Sequence, residues 1–196
     1  LCGHAAILIH VIEAELKARV PEPAAVRSLL AARATEERAV YYDSYFDWPD
    51  HRLTSAGCEL RRRVLEDVTT GRRTQFLTFK AAAVDAESDS KPEHEATLGP
   101  GGQIIAILGG LGMVEWVRYT KHCLNYRFVA EGRFLLATLV TVPELEGTYL
   151  EVESIVEPHQ VEGALSVIRG VLAELDLLDH LDTSKYTEAV LRARGG

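Results

Sequence analysis

Glu13-Ala14-Glu15-Leu16-Lys17, inside the run from Ile7 to Val20, decides how the rest of the chain is read. At a strand period of two, Glu13, Glu15 and Lys17 share one face, and Ile12, Ala14 and Leu16 share the other. Same-face neighbours sit about 6.5 to 7 Å apart along a strand. A divalent cation can therefore touch the carboxylates while the lysine reaches an anion beside it. Taken alone, one such strand is also what an antiparallel sheet with a charged face in water looks like. The choice rests on whether the pattern recurs.

It does recur. Glu59, Arg61 and Arg63 share a face opposite Leu60 and Val64, and Gln75 to Lys80 alternates so that Phe76, Thr78 and Lys80 lie together. Lys91, Glu93 and Glu95 alternate with Pro92, His94 and Ala96, which puts His94 on the outer face. Glu115 to Ala130 reads as a long or broken strand in which Tyr119, Lys121, Cys123, Asn125 and Arg127 share parity if no bulge intervenes. Arg133 to Thr141 is a more apolar strand, and within Gly147 to Val156 a second acidic pair, Glu151 and Glu153, alternates with Leu150 and Val152. Val40, Tyr41, Tyr42, Tyr45 and Phe46 give Glu37 to Asp47 a strand composition. Trp48-Pro49-Asp50 closes it, and a loop with His51-Arg52-Leu53 follows. Trp48, in that turn, is expected to be structural or a rim contact.

Helical spacing marks Ala24 to Arg33, Gln103 to Leu111, His159 to Leu175 with its stripe Val161, Leu165, Ile168, Val171, Leu172 and Leu175, and Lys185 to Arg194. Gly109, Gly110 and Gly112 lack the Lys and Ser/Thr of a phosphate loop and read as helix termination. Ala81 to Ser90 reads as a solvated loop. Strands in runs rather than in strict alternation with helices predict an α+β fold: a closed or nearly closed eight-stranded antiparallel β-barrel with helices packed outside. Helices with apolar stripes need an apolar barrel exterior, so the charged rows are expected to face inward. A lumen of Glu, Lys and Arg is sustainable only if wet, mutually paired and occupied by ligand.

Composition sets the frame for this fold. At 196 residues, 47% hydrophobic and 26% charged, residues 1–196 are expected to form one domain, with 158–196 its C-terminal helices. No apolar run reaches the roughly 18 residues that span a bilayer, so no membrane segment is expected. The net charge of -8 argues against a nucleic-acid partner, which needs a basic surface. Cys2, Cys58 and Cys123 form no disulfide framework, which points to the cytoplasm. Leu1 to His10 has neither methionine nor a basic leader and is expected to be partly a remnant of expression. Cys2-Gly3-His4 has ligand-type residues without a partner pair at zinc spacing.

Six stretches, in this order, then carry a family pattern: Glu13-x-Glu15-x-Lys17; Tyr42-Asp43-Ser44-Tyr45-Phe46-Asp47 with Pro49-Asp50-x-Arg52-Leu53; Leu60-Arg61-x-Arg63; Leu77-Thr78-Phe79-Lys80; Lys91-x-Glu93-x-Glu95; and Gly147-Thr148-Tyr149-Leu150-Glu151-Val152-Glu153. Tyr186-Thr187 in the tail fits as well. The chain resembles the CYTH family of triphosphate tunnel metalloenzymes, which includes class IV adenylyl cyclases, thiamine triphosphatases and inorganic tripolyphosphatases. The resemblance implies a tunnel that binds a triphosphate with Mg2+ or Mn2+. It assigns Glu13, Glu15, Glu151 and Glu153 to the metal and Lys17, Arg61, Arg63 and Lys80 to phosphate, with Lys91, Lys121 and Arg127 as further phosphate contacts. Glu13, Glu15, Lys17 and Glu153 become the catalytic candidates, and Glu59, Glu93 and Glu95 line the lumen.

The departures are specific. Lys91 stands where the family commonly has an Arg, which keeps the charge and loses the bidentate fork. Tyr119 and Lys121 stand for a Lys-x-Arg pair, and the usual aspartate of the seventh strand is missing within Ala137 to Thr141. The tryptophan that animal-type thiamine triphosphatases carry before the Leu60-Arg61 motif is matched by Glu59. The resemblance implies an enzyme acting on a triphosphate, either cyclase-like (ATP to cyclic AMP and pyrophosphate) or a hydrolase, and a monomer or homodimer. The alternatives are a tunnel that captures a polyphosphate or phosphometabolite without turnover, and one that acts on another organic diphosphate.

Overall fold

The computed structural model describes residues 11–84, 88, 90–99 and 101–195. Cys2-Gly3-His4 and the expected strand start at Ile7 lie outside the described residues. The elements run β1 (Ile12–Arg19), α1 (Pro23–Ala31), β2 (Glu36–Asp47), α2 (Arg52–Ser55), β3 (Glu59–Asp67), β4 (Arg73–Lys80), β5 (Lys91–Leu98), α3 (Gln103–Gly110), β6 (Val114–Ala130), β7 (Arg133–Thr141), β8 (Tyr149–Val156), α4 (Val161–Glu174) and α5 (Tyr186–Ala193). The strands close into a barrel in the order β1-β5-β4-β3-β2-β6-β7-β8. Every neighbouring pair is antiparallel. Among the described residues, no helix is long and apolar enough to cross a membrane.

Directly paired residues on adjacent strands point to the same side of a sheet, so the register decides which row faces in. Glu15 pairs with Glu153, Glu151 with Thr138, and Thr138 with Asn125. Lys121 pairs with Tyr41, Asp43 with Arg63, Arg61 with Thr78, Lys80 with Glu93, and Lys91 with Glu13. One row therefore threads the whole barrel, and it is the charged row. The opposite row, Ala14, Leu16, Ala18, Ala137, Leu139, Leu150 and Val152, packs under Val26 and Leu30 of α1 and Leu165, Ile168, Val171 and Leu172 of α4 in the main core. The helices cover the barrel's apolar exterior, and the charge is left inside.

Three local features refine the expectations. The barrel closes through a short seam in which β1 and β5 share the register Ile12↔Pro92 and Glu13↔Lys91; Pro92 has no N–H to donate there. β6 is one unbroken strand whose bulge falls between Tyr45 and Phe46 of its partner, so the parity from Tyr119 through Arg127 is kept. The segment read as a loop at His51-Arg52-Leu53 contains the one-turn helix α2. The buried Asp47 carboxylate organises it, accepting from the backbone N–H of Trp48, Leu53 and Thr54 and from the Thr54 hydroxyl at 2.7 to 3.0 Å.

Trp48 packs beside Phe46, Leu108 and Met113, and its indole N–H donates to the Leu111 carbonyl at 3.2 Å. It holds α3 to the barrel, away from the charged lumen. Gly112, at φ 82°, ends α3 as the glycine pattern predicts, while Gly109 and Gly110 sit inside its last turn.

Candidate functional site

The inward row converges on a cavity of about 80 Å³ whose walls include Glu13, Glu15, Lys17, Glu59, Arg61, Arg63, Lys80, Lys121, Glu151 and Glu153. These residues come from five strands, β1, β3, β4, β6 and β8. Alternation carries them inward, because on β1 and β8 most of their neighbours in sequence are the apolar residues that the helices cover.

The acidic side is a triad. One carboxylate oxygen from each of Glu13, Glu15 and Glu153 lies within 4.8 Å of the others. Burial and the carboxylates of Glu151 and Glu13 push Glu15 up to about 8. Burial with Glu13 and Glu15 raises Glu153 well above the usual carboxylate range. Glu13 differs: burial opposes its charge, but the Lys80 ammonium, which donates to it, and the guanidinium groups of Arg61 and Arg63 bring it down to about 2. The triad thus holds more carboxylate than its own cations neutralise, and three oxygen donors at this spacing suit a hard divalent cation.

The basic side has the reverse deficit. Arg63 is satisfied, donating twice at 2.7 Å to Asp43 with its guanidinium 4.4 Å from the Tyr41 ring centroid. Arg61 is half-buried; burial and Arg63 oppose its charge while Asp43 and Glu93 nearby support it, and it makes one long contact, 3.5 Å to the Thr78 hydroxyl. Its Nε has no hydrogen-bond partner, and no ion pair is formed by Arg61 among the described residues. A guanidinium with donors left over inside a cavity marks where an anion can bind.

The remaining candidates divide. Glu151, expected at the metal, accepts from Lys121 at 2.7 and 2.8 Å and stands outside the triad. Burial opposes the Lys121 charge and Glu151 restores it, holding Lys121 at about 12. Lys91 is buried and donates to Glu59 at 2.7 Å behind the cavity wall. Glu93 stands 3.2 Å from Lys80, while Glu95, in the middle of its strand, is exposed and accepts from Thr78. Arg127 keeps the inward parity but lies beyond the charged cavity, 3.4 Å from Glu37 and largely exposed. His94 is exposed on the outer row, as expected.

Several residues in and behind the cavity walls have no role assigned from sequence, although some stand in the quoted stretches. Asp43 shares parity with Tyr41 and Tyr45, so the alternation of β2 contained the signal, hidden by its aromatic composition. Tyr45 and Tyr119 stack at 5.7 Å with their hydroxyls 3.0 Å apart, filling the side opposite the triad. Ser184, Lys185, Tyr186 and Thr187 line one end of the cavity. Lys17 donates to the Ser184 carbonyl with its ammonium 4.5 Å from the Tyr186 ring centroid, and Lys185 stands 3.2 Å from Glu59. That segment has no strand period, and its place against the barrel depends on the tertiary fold alone.

A family model described as CYTH domain matches residues 11–187. No curated protein matches the chain. Among solved structures, a protein of Pyrococcus horikoshii OT3 is 23% identical at a TM-score of 0.80, over 92% of this chain and 98% of that one. A putative adenylate cyclase from Vibrio parahaemolyticus is 18% identical at 0.73, over 92% and 98%. A Hippeastrum protein, described as a putative adenylyl cyclase with a dominant triphosphatase activity, is 20% identical at 0.63, over 94% and 96%. At such identities these are likenesses of fold.

Proposed function

Because this chain belongs to the CYTH domain family, we propose that it is a metal-dependent enzyme acting on a triphosphate, as a triphosphate hydrolase or an adenylyl cyclase. The observation that carries this reading is the pairing within one cavity of a carboxylate triad spaced for a cation with Arg61, a guanidinium whose Nε has no hydrogen-bond partner. A divalent cation with a phosphate chain suits both. Glu13, Glu15 and Glu153 would hold the ion, Mg2+ or Mn2+, which contributes charge neutralisation and polarisation at the phosphate oxygens.

The chain's own residues do the rest. Arg61 offers a planar fork to non-bridging phosphate oxygens, and Lys80 and Lys121 add point charges from neighbouring walls. Arg63, fixed by Asp43, presents its charge without having to be ordered on binding. The barrel wall excludes bulk water, so these cations act at a lower dielectric than in solution. An oxygen nucleophile attacks phosphorus in line, the new O–P bond forms as the bridging P–O bond breaks, and the leaving phosphate takes the bond's electron pair. Water attacking the γ-phosphate gives hydrolysis; a ribose 3′-hydroxyl attacking the α-phosphate gives cyclisation.

Incubating the protein with ATP, tripolyphosphate or thiamine triphosphate, with Mg2+ or Mn2+, and resolving the products tests this. Released phosphate or a cyclic nucleotide supports the reading, and intact substrate in every arm contradicts it. Arg61→Ala should weaken tripolyphosphate binding about ten- to hundredfold, since it removes charge-assisted hydrogen bonds. Because Arg61 makes one long hydrogen bond, to Thr78, and no ion pair among the described residues, the variant's melting temperature should change little. A drop in melting temperature with unchanged affinity would make Arg61 structural.

A further inference from the structure

The outer row of β2, β6 and β7 carries a cavity separate from the charged one. Arg38 pairs with Leu124 and Val40 with His122 across β2 and β6, while Leu124 pairs with Leu139 and His122 with Thr141 across β6 and β7. These positions have the parity opposite to Tyr41, Lys121 and Thr138, so they lie outside the barrel. Leu139 is buried in the main core and Leu124 packs against it. A cavity of about 490 Å³ opens over this row, with Val40, Leu124 and Leu139 among its walls and Pro23, Ala24 and Arg27 of α1 along one side. It shares no wall residue with the charged cavity. Its size and its mostly aliphatic floor are those of a small-molecule site, in which a few placed polar groups fix the ligand.

The placed groups here are cationic. Arg27 donates to Glu36 at 2.7 and 2.8 Å, Arg38 donates to the same carboxylate from Nε at 3.0 Å, and the Tyr126 hydroxyl donates to it at 2.8 Å. The hydrogen bond from Arg27 leads in bringing Glu36 down to about 2, so it stays charged, and four donors fill its two oxygens. One carboxylate thus serves two guanidinium groups, and the cluster keeps one net positive charge. Both arginines border the cavity, and Arg38 is 57% exposed with the rest of its fork at the rim. The N-terminus of α1 adds the same sign, because no side chain caps it and its first turn holds no acid.

We propose that this cavity binds a small monocarboxylate with an apolar body, its carboxylate at Arg38 and the first turn of α1 and its body on Val40, Leu124 and Leu139. A single negative charge matches the one uncompensated cation, and a guanidinium fork takes a carboxylate through two parallel hydrogen bonds. A protein partner fits less well. Among the residues that border the cavity, Val68, at 51%, is the one exposed large aliphatic residue, whereas a stable docking face takes about 20–30 residues a side. The site lies outside the barrel, so it stands independently of the triphosphate reading.

Calorimetry on the full chain tests this, with octanoate as the probe and 1-octanol and acetate as its two halves. Octanoate should bind at least about tenfold tighter than either half, since only it joins the charge to the apolar body. Arg38→Ala should weaken octanoate about tenfold by removing a charge-assisted partner. Ala24→Trp, which fills the cavity from an exposed position on α1, should weaken it by at least as much. Saturating tripolyphosphate should leave octanoate binding unchanged. No binding of octanoate to the parent, octanol binding as tightly as octanoate, unchanged affinity in both variants, or displacement by tripolyphosphate overturns the proposal. Ala24 and Arg38 are exposed, so both variants should melt with the parent. If one does not, the other variant and the parent's preference for octanoate over its halves decide.

Discussion

Glu153→Gln is expected to lower triphosphate turnover by at least about a hundredfold, as several kcal/mol of metal-supplied charge stabilisation is withdrawn, while the protein stays folded. The substitution keeps shape and removes one of three converging carboxylates. Its effect on stability has a defined sign. Burial and the neighbouring glutamates raise both Glu15, to about 8, and Glu153. The folded chain therefore holds protons that the unfolded chain releases, so stability falls as pH rises from the ordinary carboxylate range toward those raised values. Without metal, Glu153→Gln should melt above the parent near pH 8, and the gap should close as pH falls below 4.5, where the unfolded carboxyl is protonated as well. Added Mn2+ should raise the parent's melting temperature and move the variant's little. Loss of turnover together with a lower melting temperature would make Glu153 a packing residue.

Asp43→Ala carries the largest expected cost in stability. The Asp43 side chain is fully buried and Arg63 is 15% exposed, joined by two hydrogen bonds of 2.7 Å. Removing the carboxylate strands a buried guanidinium, at about 3–5 kcal/mol. For a chain of this length that is roughly 10 °C in melting temperature. Burial alone would raise the Asp43 carboxyl, but Arg63 beside it brings it down to about 2. The folded value is below the unfolded 3.8, so the pair's contribution is present above that value and is lost as pH falls toward 2. Thermal melts from pH 7 to pH 2 should show the parent losing this increment and the variant lacking it throughout. Coincident curves would mean that the pair contributes nothing. The contrast with Arg61→Ala is informative, because, of two arginines two residues apart on β3, one is held by a carboxylate through two hydrogen bonds and the other is not.

The fold was legible because its signal is repeated and local. Glu13, Glu15, Glu151, Glu153 and Lys80 alternate with largely apolar residues, and a one-residue slip would turn these charges onto the barrel's exterior, so parity and inwardness are fixed together. The pairings inside the lumen were not legible, since they depend on how far each strand is staggered in the closed barrel. Stagger places Glu151 on Lys121 rather than in the triad, and Lys91 on Glu59 rather than on the cavity wall. Arg127 has the right parity and the wrong height. Lys185 and Tyr186 reach the cavity from a segment with no strand period, and only the packing of α5 on the barrel brings them there.

The central claim is that the triad and the arginines form one site in which metal and triphosphate bind together. Titrating the parent protein with tripolyphosphate by calorimetry, once with Mn2+ and once with chelator, tests it most directly. Opposite charges brought together at a low dielectric should bind with positive coupling. Tripolyphosphate should bind at least about tenfold tighter with Mn2+, and Glu153→Gln should lose that gain while keeping the metal-free affinity supplied by Arg61, Arg63 and Lys80. Equal affinities for both proteins with metal and with chelator would leave the carboxylates without a metal and contradict the account.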